Sequence, residues 1–447
     1  MAIAEGLKTA LNEIRETAIE SDRLYAKYID QIRPDTDINV WARPILDNQA
    51  IMNDFFNMLV QRIIYTQIEV KLFNNPLEVL EGDQIPLGSI GQEIYTNPIK
   101  GRLFNVDDFA GLLARYEADV KVQYMHVNSD IQYPVTITRA KIVDAFTSWD
   151  NLNRFIDSIT NALYNGAYID RFRMTKELVS SAYAGNNVQI EVVHAVESAD
   201  YAKAFVKKAR NLYKYFRFPS SNYNAWAKVG GYGKAILTWC NPEDIVILLR
   251  ADISTELDVD VLAQAFNMDK TTLMGRIIDV DNFDIYEGDE KTFDGSGILG
   301  IVADKSWFRV KTRELTMDEF YNANNRTWQF YLNDVRMYQY SLFANAVVFA
   351  TSLPDVKATD CKFDHTDYGS AFDIDEGDEI TIKVNLTPVN ATSQTTFTST
   401  DATKVKVTKI SDTECKIEGV DADASAVTIT ATNNDHSDTI LVTCVSP

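Results

Sequence analysis

The sequence has no long apolar run and no recognisable targeting segment. None of its hydrophobic stretches reaches the roughly 18 residues that a membrane-spanning helix requires, and the first residues lack the basic flank and apolar core of a secretory signal peptide. The four cysteines include no CxxC pair, and three of them fall near the C-terminus. We therefore expect a protein that is made in a cytoplasm, does not contact a membrane and keeps its thiols reduced.

Residues and motifs typical of catalytic or metal-binding sites are equally scarce. There are only four histidines, and none has the HExxH spacing or a cysteine at metal-ligand spacing. The Gly-Gly-Tyr-Gly-Lys stretch at residues 230–234 is followed by Ala235 instead of the hydroxyl that a phosphate-binding loop needs. Two acidic runs, at 279–289 and 373–379, do not follow the spacing of an EF-hand calcium loop. We expect no catalytic residue, no cofactor and no metal site.

Negative charge dominates the composition. The chain has 43 Lys and Arg against 64 Asp and Glu, which gives a net charge of −21. Such a surface repels phosphate and argues against sequence-specific binding of nucleic acid. It is compatible with the wall of a container for DNA, because a wall should not bind its contents tightly.

The composition changes near Leu353-Pro354. Residues 354–447 contain no Trp, Met or Arg, and their 7 Lys against 17 Asp and Glu give a charge of −10. Short segments with alternating apolar and polar residues are separated by turn-forming residues, and they predict strands at 379–385, 404–410, 426–431 and 439–444. The pattern predicts a small β-sandwich over residues 354–447.

The N-terminal third of the chain predicts helices followed by irregular structure. Apolar residues recur on one helical face from Ile3 to Ala18, which predicts a helical arm over residues 1–72 whose first helix ends at Arg33-Pro34. From residue 73 to 143, frequent Pro, Gly and Asn residues predict an extended, irregular hairpin and not a domain of its own.

One long helix is the clearest element of the middle of the chain. A capping pattern at Thr147-Ser148 and a stop at Gly185-Asn186 delimit a helix over residues 148–185. At about 1.5 Å per residue, such a helix is roughly 50 Å long. A mixed α/β block follows up to residue 353 and, with the long helix, completes a core over residues 144–353.

In this order the regions resemble the Hong Kong 97-like fold of tailed-bacteriophage major capsid proteins, where they are called N-arm, E-loop, spine helix, and peripheral and axial domains. Several segments are similar to those of the phi29-like podovirus group, namely residues 74–77, 84–88, 93–96, 256–268 and 343–347. The tail, with Ser399-Thr400-Asp401 and residues 427–432, resembles bacterial immunoglobulin-like group 2 domains, although Phe397 stands where those domains often carry a Trp.

The resemblance implies an α+β capsid fold followed by an all-β immunoglobulin-like sandwich. It implies a major capsid protein, not an enzyme, that assembles as hexamers and pentamers into an icosahedral head shell enclosing phage double-stranded DNA. Contacts between subunits are expected through the E-loop and the axial domain. The expected contact residues are Pro76, Leu77, Ile85, Pro86, Leu87, Tyr95, Phe104, Phe109, Leu257 and Phe266.

The same resemblance implies a set of partners. These are further copies of the chain, a scaffolding protein and the portal, together with packaged double-stranded DNA held by weak, non-specific contacts. The C-terminal domain is expected to contact a head fibre or host glycans, or to clamp neighbouring capsomers. The implied location is the capsid of the virion, after assembly in the cytoplasm of the bacterial host.

Two other classes of protein remain open. An enzyme with an appended adhesion module would need a cluster of polar residues in a pocket, and the scarcity of histidine speaks against it. A secreted or surface binding protein with an immunoglobulin-like adhesion module is disfavoured by the missing signal peptide and the unpaired thiols. Negative-stain microscopy distinguishes the three classes, because only a capsid protein forms large regular particles.

Overall fold

The computed structural model describes residues 2–21, 23–65, 73–86, 91–101, 115, 117–229, 235–257, 277–288, 290–423 and 425–446. Within these ranges the chain combines helices and strands, which confirms the expected mixed fold. The chain divides into two compact units. Unit 1 comprises residues 1–92, 124–175 and 309–339, and unit 2 comprises residues 93–123, 176–308 and 340–447.

The described elements are numbered in chain order. The helices are α1 (Ala2–Glu20), α2 (Leu24–Tyr28), α3 (Ile38–Asp47), α4 (Gln49–Tyr65), α5 (Arg139–Ala145), α6 (Trp149–Ala184), α7 (Ala199–Tyr215), α8 (Trp226–Val229) and α9 (Ala251–Glu256). The strands before the tail are β1 (Glu81–Gly82), β2 (Gly91–Thr96), β3 (Val120–Met125), β4 (Ser129–Thr138), β5 (Gln189–Val192), β6 (Ile245–Arg250), β7 (Ile277–Val280), β8 (Ile285–Glu287), β9 (Glu290–Phe293), β10 (Ile298–Asp304), β11 (Phe308–Asn322), β12 (Thr327–Tyr340) and β13 (Ala346–Ala350). The strands of the tail are β14 (Asp360–Phe363), β15 (Ala371–Asp375), β16 (Glu379–Thr387), β17 (Thr395–Ser399), β18 (Val405–Lys409), β19 (Glu414–Gly419), β20 (Val427–Asn433) and β21 (His436–Val445).

The N-terminal helices form much of the apolar core of unit 1. Four residues of the predicted apolar face of α1 are buried, and they share one cluster with aromatic side chains of α3 and α4 and with α6 and β12. The four are Leu7, Leu11, Ile14 and Ala18. α1 itself is shorter than predicted. It ends at Glu20 and not at Arg33-Pro34, because the amide of Arg23 donates to the carbonyl of Ala18 at 3.0 Å and closes a wider turn.

The long helix α6 lies within one residue of its predicted bounds at each end. The hydroxyl of Ser148 accepts a hydrogen bond from the amide of Asn151 at 3.1 Å and caps the first turn. At the other end Asn186 adopts a left-handed conformation with a φ of 50°. Asn186 and Asn187 donate their amides to the carbonyls of Tyr183 and Ala182 at 2.9 and 2.7 Å, which is the Schellman pattern that terminates helices.

The irregular region predicted over residues 73–143 is narrower in the structure. β4 pairs along its whole length with β12, in a sheet of order β1-β11-β12-β4, and α5 follows it directly. At the other end, β1 pairs with β11, and the amide of Ile85 donates to the carbonyl of Thr312 at 2.9 Å. β4 lies at the edge of its sheet, where Pro134 is tolerated. Both ends of the predicted region therefore belong to unit 1, and β2 and β3 form a separate two-stranded sheet.

Unit 2 contains a five-stranded sheet with α7 packed on one face. The strand order is β5-β13-β10-β6-β7. Phe205 and Leu212 of α7 share a cluster with Ile247 and Phe349 of the sheet. Leu257, at the end of α9, is buried in the same cluster.

The tail folds into two four-stranded sheets, as expected for a β-sandwich. Their strand orders are β14-β16-β19-β18 and β15-β21-β20-β17. The four predicted strands correspond to β16, β18, β20 and β21, and the other four were not predicted. The immunoglobulin-like assignment stays a prediction. Cys361, Cys415 and Cys444 are buried here and unpaired, and so is Cys240 in the body of unit 2, as expected for reduced thiols.

One loop of the tail is bound to the end of α6. The side-chain amide of Asn390 donates to the carbonyl of Gly185 and, at 2.7 Å, to the side chain of Asn187. The side chain of Asn186 donates in return to the carbonyl of Asn390 at 2.8 Å. Lys228 then donates to the side-chain oxygen of Asn186 at 2.9 Å. These bonds hold the tail on the body of unit 2.

Candidate interaction surface

Within the described part of the chain, the candidate functional site is an exposed surface. No group of three His, Cys, Asp or Glu side chains among them could hold a metal ion. Of the helices that the structure describes, none combines the length and the apolarity needed to cross a lipid bilayer. One feature with exposed apolar side chains and a well-defined attachment is the pair of strands β2 and β3, most of which lies in unit 2. We call residues 91–101 and 117–125 the arm.

The arm has one exposed face that is rich in apolar side chains. Side chains of a strand alternate between its two faces, and on the outer face Ile94 is 61% exposed, Val120 48%, Val122 37% and Tyr124 66%. Ile99, just beyond β2, is 75% exposed. Single exposed apolar residues are ordinary, but a row on adjacent strands marks a contact surface.

The opposite face of the arm is tied to the body of unit 2 by Asn97. Its side-chain amide donates to the carboxylate of Asp119 at 2.8 Å and to the carbonyl of Ala235 at 3.0 Å. Its side-chain oxygen accepts from the amide of Leu237 at 3.0 Å. Both N–H donors and the oxygen of one side chain therefore close the base of the arm and join it to the 235–237 segment.

Tyr95 and Gln123 complete the attachment. The hydroxyl of Tyr95 donates to the carbonyl of Leu237, and its ring lies 5.9 Å from that of Phe343. Burial raises the pKa of the Tyr95 hydroxyl, so this group remains a donor at physiological pH. Gln123 donates to the carbonyl of Tyr340 at 2.8 Å and accepts from the amide of Leu342 at 2.9 Å. The base of the arm is thereby fixed, while its outer face is left exposed.

Six of the ten predicted contact residues lie in the described part of the chain. Pro76 and Pro86 are exposed, whereas Tyr95 is half-buried against its own subunit. Leu77, Ile85 and Leu257 are buried within the chain, and their contact role stays a prediction. Ile85 packs on Met125 and Met337, and Leu257 fills the core under the five-stranded sheet. The remaining four lie outside the described residues, namely Leu87, Phe104, Phe109 and Phe266.

The sequence interpretation missed the outer face of the arm. Ile94, Val120 and Val122 were not among the expected contacts, although the alternation of residues 91–96 and 120–125 carries a signal for it. Alternation predicts that a strand has two different faces, but it does not reveal which face packs against the subunit. Only the position of Asn97 and Gln123 on the body decides that.

Comparisons with known proteins agree with the sequence interpretation. The family model described as Phi29-like phage major capsid protein matches residues 11–350. The major capsid protein of Bacillus phage PZA is 31% identical over 343 residues, which cover 76% of this chain and 72% of that protein. The major capsid protein of Bacillus phage B103 is 30% identical over 345 residues, with the same coverage of 76% and 72%. The capsid structure of Staphylococcus phage Andhra has a similar fold, with a TM-score of 0.51 and 13% identity over 64% of this chain and 86% of that chain.

Proposed function

The chain belongs to the Phi29-like phage major capsid protein family, and from this premise we propose that the outer face of the arm is the surface through which one subunit binds the next. As a major capsid protein it is a structural component of the virion that forms the capsid shell, and it is not an enzyme. The observation that carries the proposal is the row of exposed apolar side chains on an arm whose other face is already bonded to its own subunit.

The energy available from this face suits a shell. Covering a few hundred Å² of apolar surface contributes several kcal/mol at about 25 cal/mol per Å². Much of that is offset by the loss of translational and rotational freedom on association. Each contact is then weak, so a misplaced subunit can dissociate, and stability comes from many contacts repeated in closed rings.

The finer organisation of the subunit is part of the same proposal. The arm takes the role of the E-loop, α6 that of the spine helix, and the tail from residue 354 that of an immunoglobulin-like domain. Unit 1 then supplies the N-arm and peripheral domain, and the five-stranded sheet of unit 2 the axial domain. Pro76 and Pro86 remain candidates for contact because their side chains are exposed.

The partners follow from the proposed shell. Copies of the chain form hexamers and pentamers in the host cytoplasm with the help of a scaffolding protein and a portal, and the finished shell encloses double-stranded DNA. The tail contacts a head fibre or a host glycan, or clamps neighbouring capsomers. Its bonds to the end of α6 through Asn390 support a fixed position on the subunit.

Placing charges on the outer face of the arm tests the proposal. The double variant Ile94→Asp, Val122→Asp puts two carboxylates on a surface that should be covered by a neighbouring subunit, where each uncompensated charge costs several kcal/mol. In the free subunit both side chains are in water, so folding should be unaffected. We expect soluble, folded subunits and no shells by negative-stain microscopy and sedimentation.

The matched control places the same charges on exposed apolar residues of the tail. Ile410 and Leu441 are 54% and 43% exposed, and the double variant Ile410→Asp, Leu441→Asp should assemble normally. If the arm variant forms shells as well as this control does, the arm is not the contact surface.

A further inference from the structure

A basic segment stands out in this acidic chain. Residues 201–242 contain eight Lys and Arg and no Asp or Glu, although the whole chain has a net charge of −21. Six of the eight lie in or directly after α7, at Lys203, Lys207, Lys208, Arg210, Lys214 and Arg217. The segment is therefore a local exception to the charge of the protein.

The helix arranges these charges on one face. Lys203, Lys207, Arg210 and Lys214 follow one another at steps of four, three and four residues, which aligns them on one face of α7, and Arg217 lies in the turn directly after the helix. The opposite face of α7 is buried against the five-stranded sheet. Lys203, Lys207, Lys214 and Arg217 are exposed, and we call these four residues the basic stripe. At about 1.5 Å per residue the stripe is roughly 20 Å long.

Few of these cations are neutralised within the subunit. Lys203 lies 3.8 Å from the carboxylate of Asp200, an exposed pair of the kind that contributes little. Lys208, on the edge of the stripe, pairs with Glu191 at 2.6 Å. Lys207, Lys214 and Arg217 make no ion pair with any other residue in the described part of the chain. A polyanion would therefore find free positive charge here.

We propose that the basic stripe is the surface through which the subunit contacts the phosphate backbone of packaged double-stranded DNA, so that this face of α7 points into the shell. The proposal rests on the proposed function as the wall of a DNA container. Duplex DNA carries one negative charge for about every 1.7 Å of its axis, so a stripe of this length faces several phosphates. The contact is independent of base sequence, and it is weak because it neutralises only about four phosphates.

The salt dependence of binding gives the expected magnitude. A protein that neutralises about four phosphates has a slope of about −3.6 when the logarithm of affinity is plotted against that of salt concentration. Affinity then falls by a factor of about 100 between 50 and 200 mM salt. A variant whose stripe carries no charge should bind DNA weakly, and its affinity should depend little on salt concentration.

The test neutralises the stripe in the full-length chain. The variant Lys203→Gln, Lys207→Gln, Lys214→Gln, Arg217→Gln removes four charges, and glutamine is as favourable in a helix as the residues that it replaces. The matched control removes four charges from the tail, with Lys362→Gln, Lys406→Gln, Lys409→Gln and Lys416→Gln, all of which form surface ion pairs. Binding of a fluorescent random-sequence duplex to the unassembled full-length subunit, in which the stripe is accessible, is measured by anisotropy over a salt series. Shell formation is scored by microscopy on separate, assembled samples of the same variants.

The expected result is that the stripe variant forms normal shells but binds DNA at least tenfold more weakly, while the control binds like the unaltered protein. Normal shells with unchanged DNA affinity would overturn the proposal. So would a loss of shells in the stripe variant alone, because the stripe would then be a contact with an acidic surface of a second copy. The arm variants report separately on the proposed function, because they test assembly without changing α7.

Discussion

A buried ionic network in unit 1 allows a sharp test of how this fold is stabilised. Asp334 of β12 is almost fully buried, and its carboxylate accepts hydrogen bonds from Arg171 and Arg336, each at 2.8 Å. Arg336 also binds the carboxylate of Glu81 at 2.7 Å. Two guanidinium groups and two carboxylates thus neutralise one another, and Asp334 is the member that touches both arginines.

The variant Asp334→Asn leaves two buried arginines with one remaining carboxylate. At a separation of about 4 Å and an effective dielectric constant of about 20, each ion pair is worth about 4 kcal/mol. Removing the charge also removes the cost of burying that carboxylate, which returns several kcal/mol. We expect the variant to lose about 3–5 kcal/mol of unfolding free energy, the range found when a buried pair loses one partner.

Urea-induced unfolding of the unassembled full-length chain, followed by tryptophan fluorescence, measures this loss. Asp318→Asn is the matched control, because Asp318 lies on the neighbouring strand, is exposed and accepts a single hydrogen bond from Asn333 at 2.7 Å. The control should change stability by less than about 0.5 kcal/mol. A loss for Asp334→Asn that is no greater than that of Asp318→Asn would show that the network does not stabilise unit 1.

Two further predictions concern Glu319 and Asn390. Burial, opposed by a hydrogen bond from Asn57 and reinforced by the charge of Asp54, raises the pKa of Glu319 from 4.5 to about 7. Because folding raises the pKa of this carboxyl group, the folded protein becomes less stable relative to the unfolded chain as pH rises from about 4.5 to 7. The variant Glu319→Gln carries no charge at any pH. After allowance for partial exposure, its free energy of unfolding should exceed that of the unaltered protein by on the order of 1 kcal/mol at pH 8 and be equal to it at pH 4.5. Urea unfolding at both values measures this, and an equal effect at both would contradict it. The variant Asn390→Ala removes the hydrogen bonds to Gly185 and Asn187. Limited proteolysis between residues 351 and 358 should therefore release the tail faster than it does in the control variant Thr396→Ala. Equal rates of release would show that Asn390 does not hold the tail.

Local signals account for what the sequence predicted well. The bounds of α6 depend on Ser148 and Asn186, and their capping roles can be predicted from a few adjacent residues. The predicted strands of the tail follow from alternation over a few residues, which is equally local. β11 and β12, at 15 and 14 residues, were not predicted, because many side chains along β11 are only half-buried and give no clear alternation.

The contact residues were harder to predict, since a contact surface depends on what remains uncovered after folding. Ile85 and Leu257 are apolar and were expected at the surface between subunits, yet each has a neighbour within its own unit that covers it. Ile94 and Val122 are equally apolar, yet within the described part of the chain they are left 61% and 37% exposed. Hydropathy alone cannot separate the two pairs, because it is a property of the residue and not of its surroundings.

The net charge of the whole chain, like hydropathy, does not describe the local surroundings of a surface. The net charge of −21 argues against tight binding of DNA by the protein as a whole. At physiological ionic strength, however, charges more than about 8 Å apart across solvent are largely screened from one another. The basic stripe, roughly 20 Å long, is therefore sensed by a polyanion at its surface with little influence from exposed carboxylates farther away. A shell subunit that is acidic overall but carries this basic stripe can hold DNA loosely at the stripe without binding it along the rest of its surface. The sign of the net charge does not reveal the stripe.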